Sequence, residues 1–465
     1  MSYIFKILAI VAGKAIILAS RLAGNQGSNL PGKVAARIYP PILQVLGSNT
    51  RRSTLVITGT NGKTTTSNMV AAIIRAQGNT LVHNQAGANM IPGITTAFIN
   101  STNWLGTRPF DFALLETDEA NVPLLLQVLQ PRYLLITNFF RDQLDRFGEL
   151  DHTIGLIKDA VKGTDIELVL NGDDPLQSDF APATGLHCWY YGFANTIYDS
   201  LAGADSREGR YCVVCGHELV YTRFHYAQLG VFKCRQCGNA NPDPDFRATS
   251  LQLTPNISFE INNLAIESPY QGFYNAYNVL AAVSLARLTG MDTGVIQKAI
   301  AGFRPQAGRM ETFTIKGKQV ILILIKNPTG FNQSLGMLAM DPAAKNLFLA
   351  LNDNAADGRD ISWIWDADAE MLVPEVDAIN QVICSGQRSG DMAVRVKYAG
   401  IPAAKIFIQT ELEDGIWQAI NEESSVSYIL CTYTALFTSR KILLRLQKQY
   451  PAPQQRGTGT PGRSA

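Results

Sequence analysis

Short apolar runs alternate along the chain with longer stretches in which apolar residues recur every three or four positions. Leu55, Val56 and Ile57 form a largely β-branched run of the kind that fills a buried parallel strand. From Thr65 onward Met69, Val70, Ile73 and Ile74 recur at helical spacing. Further strands are predicted at Phe110–Leu115, Tyr133–Thr137 and Glu167–Leu170, and a helix at Ala276–Leu288. A second series of strands follows at Val320–Ile325, Leu347–Leu351, Val382–Cys384 and Ser427–Leu430. Strands alternating with helices imply doubly wound parallel sheets, with polar groups collected at the carboxyl ends of the strands.

The divisions follow from the same pattern. Residues 1–50 read as a helical segment and 51–312 as a central α/β domain. An insertion interrupts the latter at about 205–245, and a smaller α/β domain follows over 313–450. Residues 451–465, rich in Pro, Gly and Gln, read as a disordered tail. Near the start, Ile4–Leu18 is strongly apolar, but Lys6 and Lys14 interrupt it and Arg21 follows. Its uninterrupted runs are too short to span a bilayer, and Ala19–Arg21 is a weak cleavage signal. An amphipathic helix is predicted there, packed on the domain or lying on a membrane surface.

Between the first strand and its helix stands Gly59-Thr60-Asn61-Gly62-Lys63-Thr64-Thr65. Glycines let successive backbone N–H groups turn toward phosphate oxygens, and the helix N-terminus adds partial positive charge. Lys63 can reach terminal phosphates as a point charge, and the Thr64 hydroxyl can ligate Mg²⁺. The fit to the common phosphate-loop pattern is loose, because its leading glycine would fall at Ile57.

Composition changes this picture little. With 465 residues, 46% of them apolar, two or three domains with substantial cores are expected. Forty Lys+Arg against 39 Asp+Glu gives no global pull toward nucleic acid. Seven cysteines are too few and too unevenly placed for a disulfide scaffold, which favours a reducing cytoplasm. Four of them form two Cys-x-x-Cys pairs, Cys212/Cys215 and Cys234/Cys237, each followed by glycine. Two such knuckles close a tetrahedron around structural Zn²⁺ and leave no open position for catalysis. Zinc ribbons also bind nucleic acid, but His217, Lys233 and Arg235 make a thin basic set.

In combination, these residues resemble the Mur ligase family. The match rests on Thr58–Thr65, Glu116 after a strand, Thr137-Asn138 followed by Asp142 and Leu144-Asp145, Asn275-x-x-Asn278, and Gly308-Arg309-Met310-Glu311. The stretch before the glycine loop is too short for a UDP-binding domain. The cysteine insertion, Leu351–Asp366 and Cys384–Ala393 narrow the resemblance to the branch serving as synthetase subunit of lipid II isoglutaminyl synthase. That resemblance implies ATP as co-substrate, lipid II at the membrane surface as substrate, and a GatD-type glutaminase as partner; the balanced charge and thin basic set argue against nucleic acid. The D-glutamate α-carboxylate would be amidated through an acyl phosphate.

Carried over residue by residue, Gly59 to Thr65 would cradle ATP, with Lys63 on its terminal phosphates and Thr64 and Glu116 holding Mg²⁺. Asn275 and Asn278 would stand near the nucleotide, with helix capping by Asn275 as the alternative. Arg309 would face phosphates, or be an exposed loop arginine. Asp353 would meet the nucleotide. Asp357, with Asp360 next, would complete the partner's Cys-His pair, or simply form an Asp/Gly turn. Where the family often has His after the second-strand Asp, this chain has Gln143, which leaves a second metal open. A carbamylated lysine would fall near Lys158, but the spacing does not align; Asp174 reads as a turn residue. A folylpolyglutamate synthase-like ligase and a non-enzymatic, nucleotide-gated scaffold are the rival readings.

Overall fold

The computed structural model describes residues 2–22, 29–84, 88–140, 150–200, 208–304 and 309–451. It divides into two compact units, Met1–Arg304 and Pro305–Ala465. The expected boundary near residue 312 therefore falls inside a strand, Arg309–Ile315. The tail 452–465 and the start of the expected insertion lie outside the described residues.

The first unit opens with three helices, α1 (Ser2–Leu22), α2 (Leu30–Ile38) and α3 (Ile42–Gly47); the break between α2 and α3 falls at Pro40-Pro41. A nine-stranded sheet follows, built from β1 (Thr50–Thr58), β2 (Leu81–His83), β3 (Phe110–Glu116), β4 (Tyr133–Ile136), β5 (Glu167–Asn171), β6 (Cys188–Phe193), β9 (Phe246–Gln252), β10 (Ile257–Ile261) and β11 (Leu264–Ser268). Their spatial order is β11-β10-β9-β6-β5-β4-β1-β3-β2. From β2 through β9 every pairing is parallel, and β9, β10 and β11 close the edge as an antiparallel meander. That meander was not anticipated: its strands are short and its alternation is broken by Asn262-Asn263, both with positive φ.

Strand alternation feeds two layers. Leu55 and Ile57 point into one core with Met69, Val70 and Ile73 of α4 (Lys63–Ala76). Val56 points into the other, with Ile94 and Phe98 of α5 (Ile91–Ser101) and with Ile10 and Ile17 of α1. The buried Ile10 and Ile17 pin α1 to the domain, each contributing about 2 kcal/mol by area. The chain leaves β1 toward β2 and β3 on one side and later adds β4 on the other. The carboxyl end of β1 is thus a switch point, where ligand sites form in such sheets.

His83 fastens α4 from β2: its Nε2 lies 2.7 Å from Ser67 Oγ. Burial, helped by the charge of Arg75, pushes His83 down to about 3. In the unfolded chain this ring takes up a proton near the ordinary histidine value, which the folded state resists. Its contribution to stability is full above pH 6.5 and drains as pH falls toward 3. Chemical unfolding is expected to show a loss of about 2 kcal/mol between pH 7 and pH 5 from this group, and His83→Gln should flatten that slope.

The second unit carries a six-stranded sheet in the order β12-β13-β17-β14-β15-β16. Its strands are β12 (Arg309–Ile315), β13 (Lys318–Leu324), β14 (Lys345–Ala350), β15 (Ile379–Ser385), β16 (Ile406–Ile408) and β17 (Val426–Cys431). All pairings are parallel except β12–β13, a hairpin turning at Lys316-Gly317, both with positive φ. Residues 309–311, expected in a loop, instead open β12. Glu311 accepts a forked pair of bonds from Arg440 (2.8–3.0 Å) on the last helix, Tyr433–Gln449. This tie explains why the unit begins before residue 312.

Candidate functional site

At the end of β1 the chain must turn and then start a helix within four residues, and two glycines permit it. Gly59 (φ +118°) passes so close to β4 that a Cβ would meet Thr137 Oγ1 at 2.3 Å. Gly62 (φ +86°) passes Asn278, whose Oδ1 would lie 2.0 Å from a Cβ. A side chain at either position is excluded by both conformation and space. Ile57 remains inside the strand, paired with Glu116 and Leu135, which accounts for the missing leading glycine.

The loop is clamped from β4. Asn61 N–H donates to Asn138 Oδ1 (3.0 Å), while Asn138 Nδ2 and Thr137 Oγ1 donate to Asn61 O (3.0 and 2.7 Å). Thr60 N–H donates to Asn138 O (3.0 Å), and Thr60 Oγ1 bonds with the backbone of Phe140. Fixed in this way, the loop needs little reorganisation to receive an anion. Thr137 and Asn138 belonged to the recognised pattern, but no local signal gave them this role.

Lys63 is buried at 7% exposure. Its Nζ donates to Gly59 O (2.6 Å) and lies 3.3 Å from Glu119 Oε2 and 3.6 Å from Asp118 Oδ1. Neither Asp118 nor Glu119 was singled out from the sequence, although the acidic run Glu116–Glu119 held the signal. Glu116 is 3% exposed, and its Oε1 accepts from Thr64 Oγ1 at 2.9 Å. Its backbone is held on both sides by Asn84, which accepts from Glu116 N–H (2.8 Å) and donates to Glu116 O (2.7 Å). Two oxygens sharing an Mg²⁺ octahedron with bonds near 2.1 Å stand about 3 Å apart. The Thr64–Glu116 spacing fits that edge, so this donor set suits Mg²⁺.

Asn275 and Asn278 lie on the helix Phe273–Leu288 packed against α4. Asn278 faces Gly62, and its Nδ2 donates to Asn275 Oδ1 (3.2 Å). The capping alternative for Asn275 does not hold: Gly272 precedes the helix, and Asn275, inside it, donates to Gln271 O at 2.8 Å. Asp142, Gln143, Leu144 and Asp145 lie outside the described residues, as do Gly308 and the side chain of Arg309. Lys158 donates to both carboxylate oxygens of Asp179 (2.7 Å).

The four cysteines converge as expected. Cys212, Cys215, Cys234 and Cys237 place their sulfurs within 4.8 Å of one another, with two cross-pairs at 3.5 Å. Both knuckles repeat one design: Gly216 and Gly238 (φ +73° and +81°) donate to Cys212 O and Cys234 O, while Cys212 N–H and Cys234 N–H donate to His217 O and Asn239 O. Zn–S bonds near 2.3 Å set sulfurs about 3.8 Å apart, so the cluster fits zinc. The N–H of Cys237 pulls the Cys234 thiol down to about 6, toward the thiolate a metal takes.

The cysteine module, whose hairpin is β7 (Leu219–Tyr226) and β8 (Leu229–Cys234), is fastened beside the glycine loop. Gln228 Nε2 donates to Phe139 O (2.6 Å), and Asn241 Nδ2 donates to Gly172 O (3.0 Å). Asp174, read as a turn residue, proves to be buried; it accepts from Leu176 N–H (3.2 Å) and Phe139 N–H (3.0 Å). Burial pushes its carboxyl up to about 6.

In the second unit the segment after β14 is knitted to the start of the last helix. Asp357, 5% exposed, accepts from Thr434 N–H (2.7 Å) and Thr434 Oγ1 (2.5 Å). Asp360, partly exposed, accepts from Ser362 N–H (2.8 Å) in a local turn. Asp353 engages Arg388 Nε at 2.9 Å. Asp357 thus has a structural task, and any role toward another chain is shared with it.

A Mur ligase middle-domain model matches residues 57–234, and a MurT ligase C-terminal model matches residues 324–436. The lipid II isoglutaminyl synthase (glutamine-hydrolyzing) subunit MurT of Streptococcus pneumoniae is 38% identical, over 95% of this chain and 97% of its own length. Its counterpart from Staphylococcus aureus strain COL is 36% identical, over 84% of this chain and 88% of its own. Among solved structures, a pseudomurein peptide ligase type C from Methanothermus fervidus aligns with a TM-score of 0.66 at 21% identity, covering 86% of this chain and 80% of that one. A folylpolyglutamate synthase from Mycobacterium tuberculosis aligns at 0.58 and 14% identity, covering 86% and 94%. At those identities the two structures speak to the fold alone. Similarity to the two subunits across nearly the whole chain, joined to the glycine loop and its acidic partners, identifies this protein as a member of the MurT family of Mur ligases.

Proposed function

We propose that this chain is the ATP-dependent synthetase subunit that amidates the D-glutamate α-carboxylate in the stem peptide of lipid II, using ammonia released by a GatD-type glutaminase. The observation that carries the reading is the pair Lys63 and Thr64 leaving the clamped loop, with Glu116 at the end of β3 accepting from Thr64 Oγ1. The substrate carboxylate attacks the γ-phosphorus of ATP, an oxygen–phosphorus bond forms and ADP leaves. Ammonia then attacks the acyl carbon, the carbon–oxygen bond to phosphate breaks, and the nitrogen sheds a proton. Catalysis of this kind is mostly positioning and neutralisation of charge. Lys63 supplies a fixed positive charge beside the terminal phosphates, and the Asn138 clamp keeps the loop amides in place. Thr64 and Glu116 would hold Mg²⁺, which when bound neutralises phosphate oxygens. Arg309, Asn275 and Asn278 are assigned to the nucleotide by family resemblance; Asn278 is supported by its approach to Gly62.

Incubation with lipid II, ATP and ammonium should yield an amidated product, whereas folate with glutamate should yield none. Product only from the second mixture would favour the folylpolyglutamate reading, whose fold is shared. Nucleotide hydrolysis indifferent to lipid II would favour the scaffold. The reaction belongs in the cytoplasm, where ATP and reduced thiolates coexist.

Asp357 completes the partner's Cys-His pair in this reading, with Asp360 as the alternative. The four thiolates hold structural zinc. Cys212→Ser, which removes a buried ligand, should release the metal and open residues 208–245 to protease. The check is zinc stoichiometry alongside limited proteolysis, since such an ion contributes on the order of 10 kcal/mol to folding a small module.

A further inference from the structure

The outward face of α1 is apolar from end to end. Ile4, Leu8, Val11, Ala15, Leu18 and Leu22 follow one another at helical spacing and are all exposed, Ile4 and Leu18 at 61% each. The opposite face holds the buried Ala9, Ile10, Gly13 and Ile17. At Gly13 the helix runs so close to α5 that a Cβ would lie 3.0 Å from Ile99. Although Lys6 and Lys14 interrupt its apolar runs, the helix as a whole is long and apolar enough to cross a bilayer, and its inner face holds it against the domain.

Charge in the part of the chain that carries the stripe is one-sided. Ten of the 40 lysines and arginines, and none of the 39 acidic residues, lie in residues 1–110; the rest of the chain has 30 basic against 39 acidic. Lys6, Lys14 and Arg21 stand on α1 itself, and the exposed Lys33 and Arg37 stand on α2, which packs against it. Beside the stripe, the loop after α5 exposes Trp104 (60%) and Leu105 (49%), with Lys14 Nζ 5.4 Å from the Trp104 ring centre. An apolar stripe with lysine stems along it and a tryptophan at its edge suits the boundary between headgroups and acyl chains.

We infer that α1 and the Trp104 loop form a docking face for a bilayer containing anionic phospholipid, on which the helix lies without spanning. A second copy of this chain suits the face less well, because pairing two such surfaces would bring like charges together. A lipid-borne substrate, as proposed above, would be met on that same surface. Docking itself needs neither ATP nor substrate, so its failure is separable from failure of the ligase reading.

The test is co-flotation of the full-length chain with vesicles, without nucleotide. Binding is expected to phosphatidylglycerol–phosphatidylcholine vesicles, to weaken as salt rises, and to be at least about tenfold weaker to phosphatidylcholine alone. Leu8→Glu with Leu18→Glu should weaken binding by at least about tenfold while leaving ammonium-dependent amidation of detergent-dispersed substrate unchanged. If that double variant misfolds, Lys33→Glu with Arg37→Glu alters only exposed charges and should still reduce binding to the anionic vesicles. Absence of flotation, flotation indifferent to both pairs of substitutions, or a dimer dissolved by the leucine variants in place of flotation would overturn the assignment.

Discussion

Lys63→Ala is expected to reduce ammonia-dependent amidation by on the order of 10³-fold, with the loss in kcat more than in the apparent affinity for lipid II. In the proposed reaction the ammonium group stands where charge accumulates on the transferred phosphoryl group, so its removal should raise the barrier most. The substitution also removes the cation that lies beside both Asp118 and Glu119. Nucleotide binding should weaken in consequence, because two carboxylates then repel the incoming phosphates. Steady-state kinetics with ammonium, together with calorimetry of ADP and magnesium, tests both statements. Unchanged kcat would remove Lys63 from the reaction.

Asp357→Asn is expected to lower glutamine-dependent activity of the complex by on the order of 10³-fold while activity with free ammonium stays within a few-fold of the parent. An amide can no longer hold an imidazole in the required tautomer, but it can still accept from Thr434 N–H. The structural share of the effect is measurable separately, since weakening the bond from Thr434 Oγ1 costs about 1 kcal/mol and appears as lower thermal stability. If both activities fall together with stability, Asp357 is only an anchor for the last helix. Asp360→Asn then becomes the decisive variant, because that carboxylate sits in a local turn and carries less of the fold.

The nucleotide loop was readable in advance because its parts are contiguous: strand, glycines and helix follow one another from Leu55 to Ile74. The cysteine module was readable for the same reason, since each knuckle is written in five consecutive residues. What escaped was non-local. The bonds from Asn138 to Asn61 join positions 77 apart, and no spacing rule connects them. Asp118 and Glu119 acquire meaning only when β3 is laid beside β1. Residues 309–311 looked like a loop because glycine precedes them. The bulge at Met310, with φ +60°, also breaks the alternation by which a strand is recognised. The first helix was expected, but not that it would bury one apolar face and leave the other uncovered.

The peptide at Phe139 is gripped on both sides, its N–H by Asp174 and its carbonyl by Gln228 of the cysteine module. The neighbouring Phe140 carries the bonds to Thr60 of the glycine loop. One short stretch of backbone therefore acts as a shared pin between the glycine loop and the four-cysteine module. With zinc held by the four cysteines as proposed, its removal would slacken that pin, so metal starvation should reach this enzyme first as a loss of grip on nucleotide, before any general unfolding.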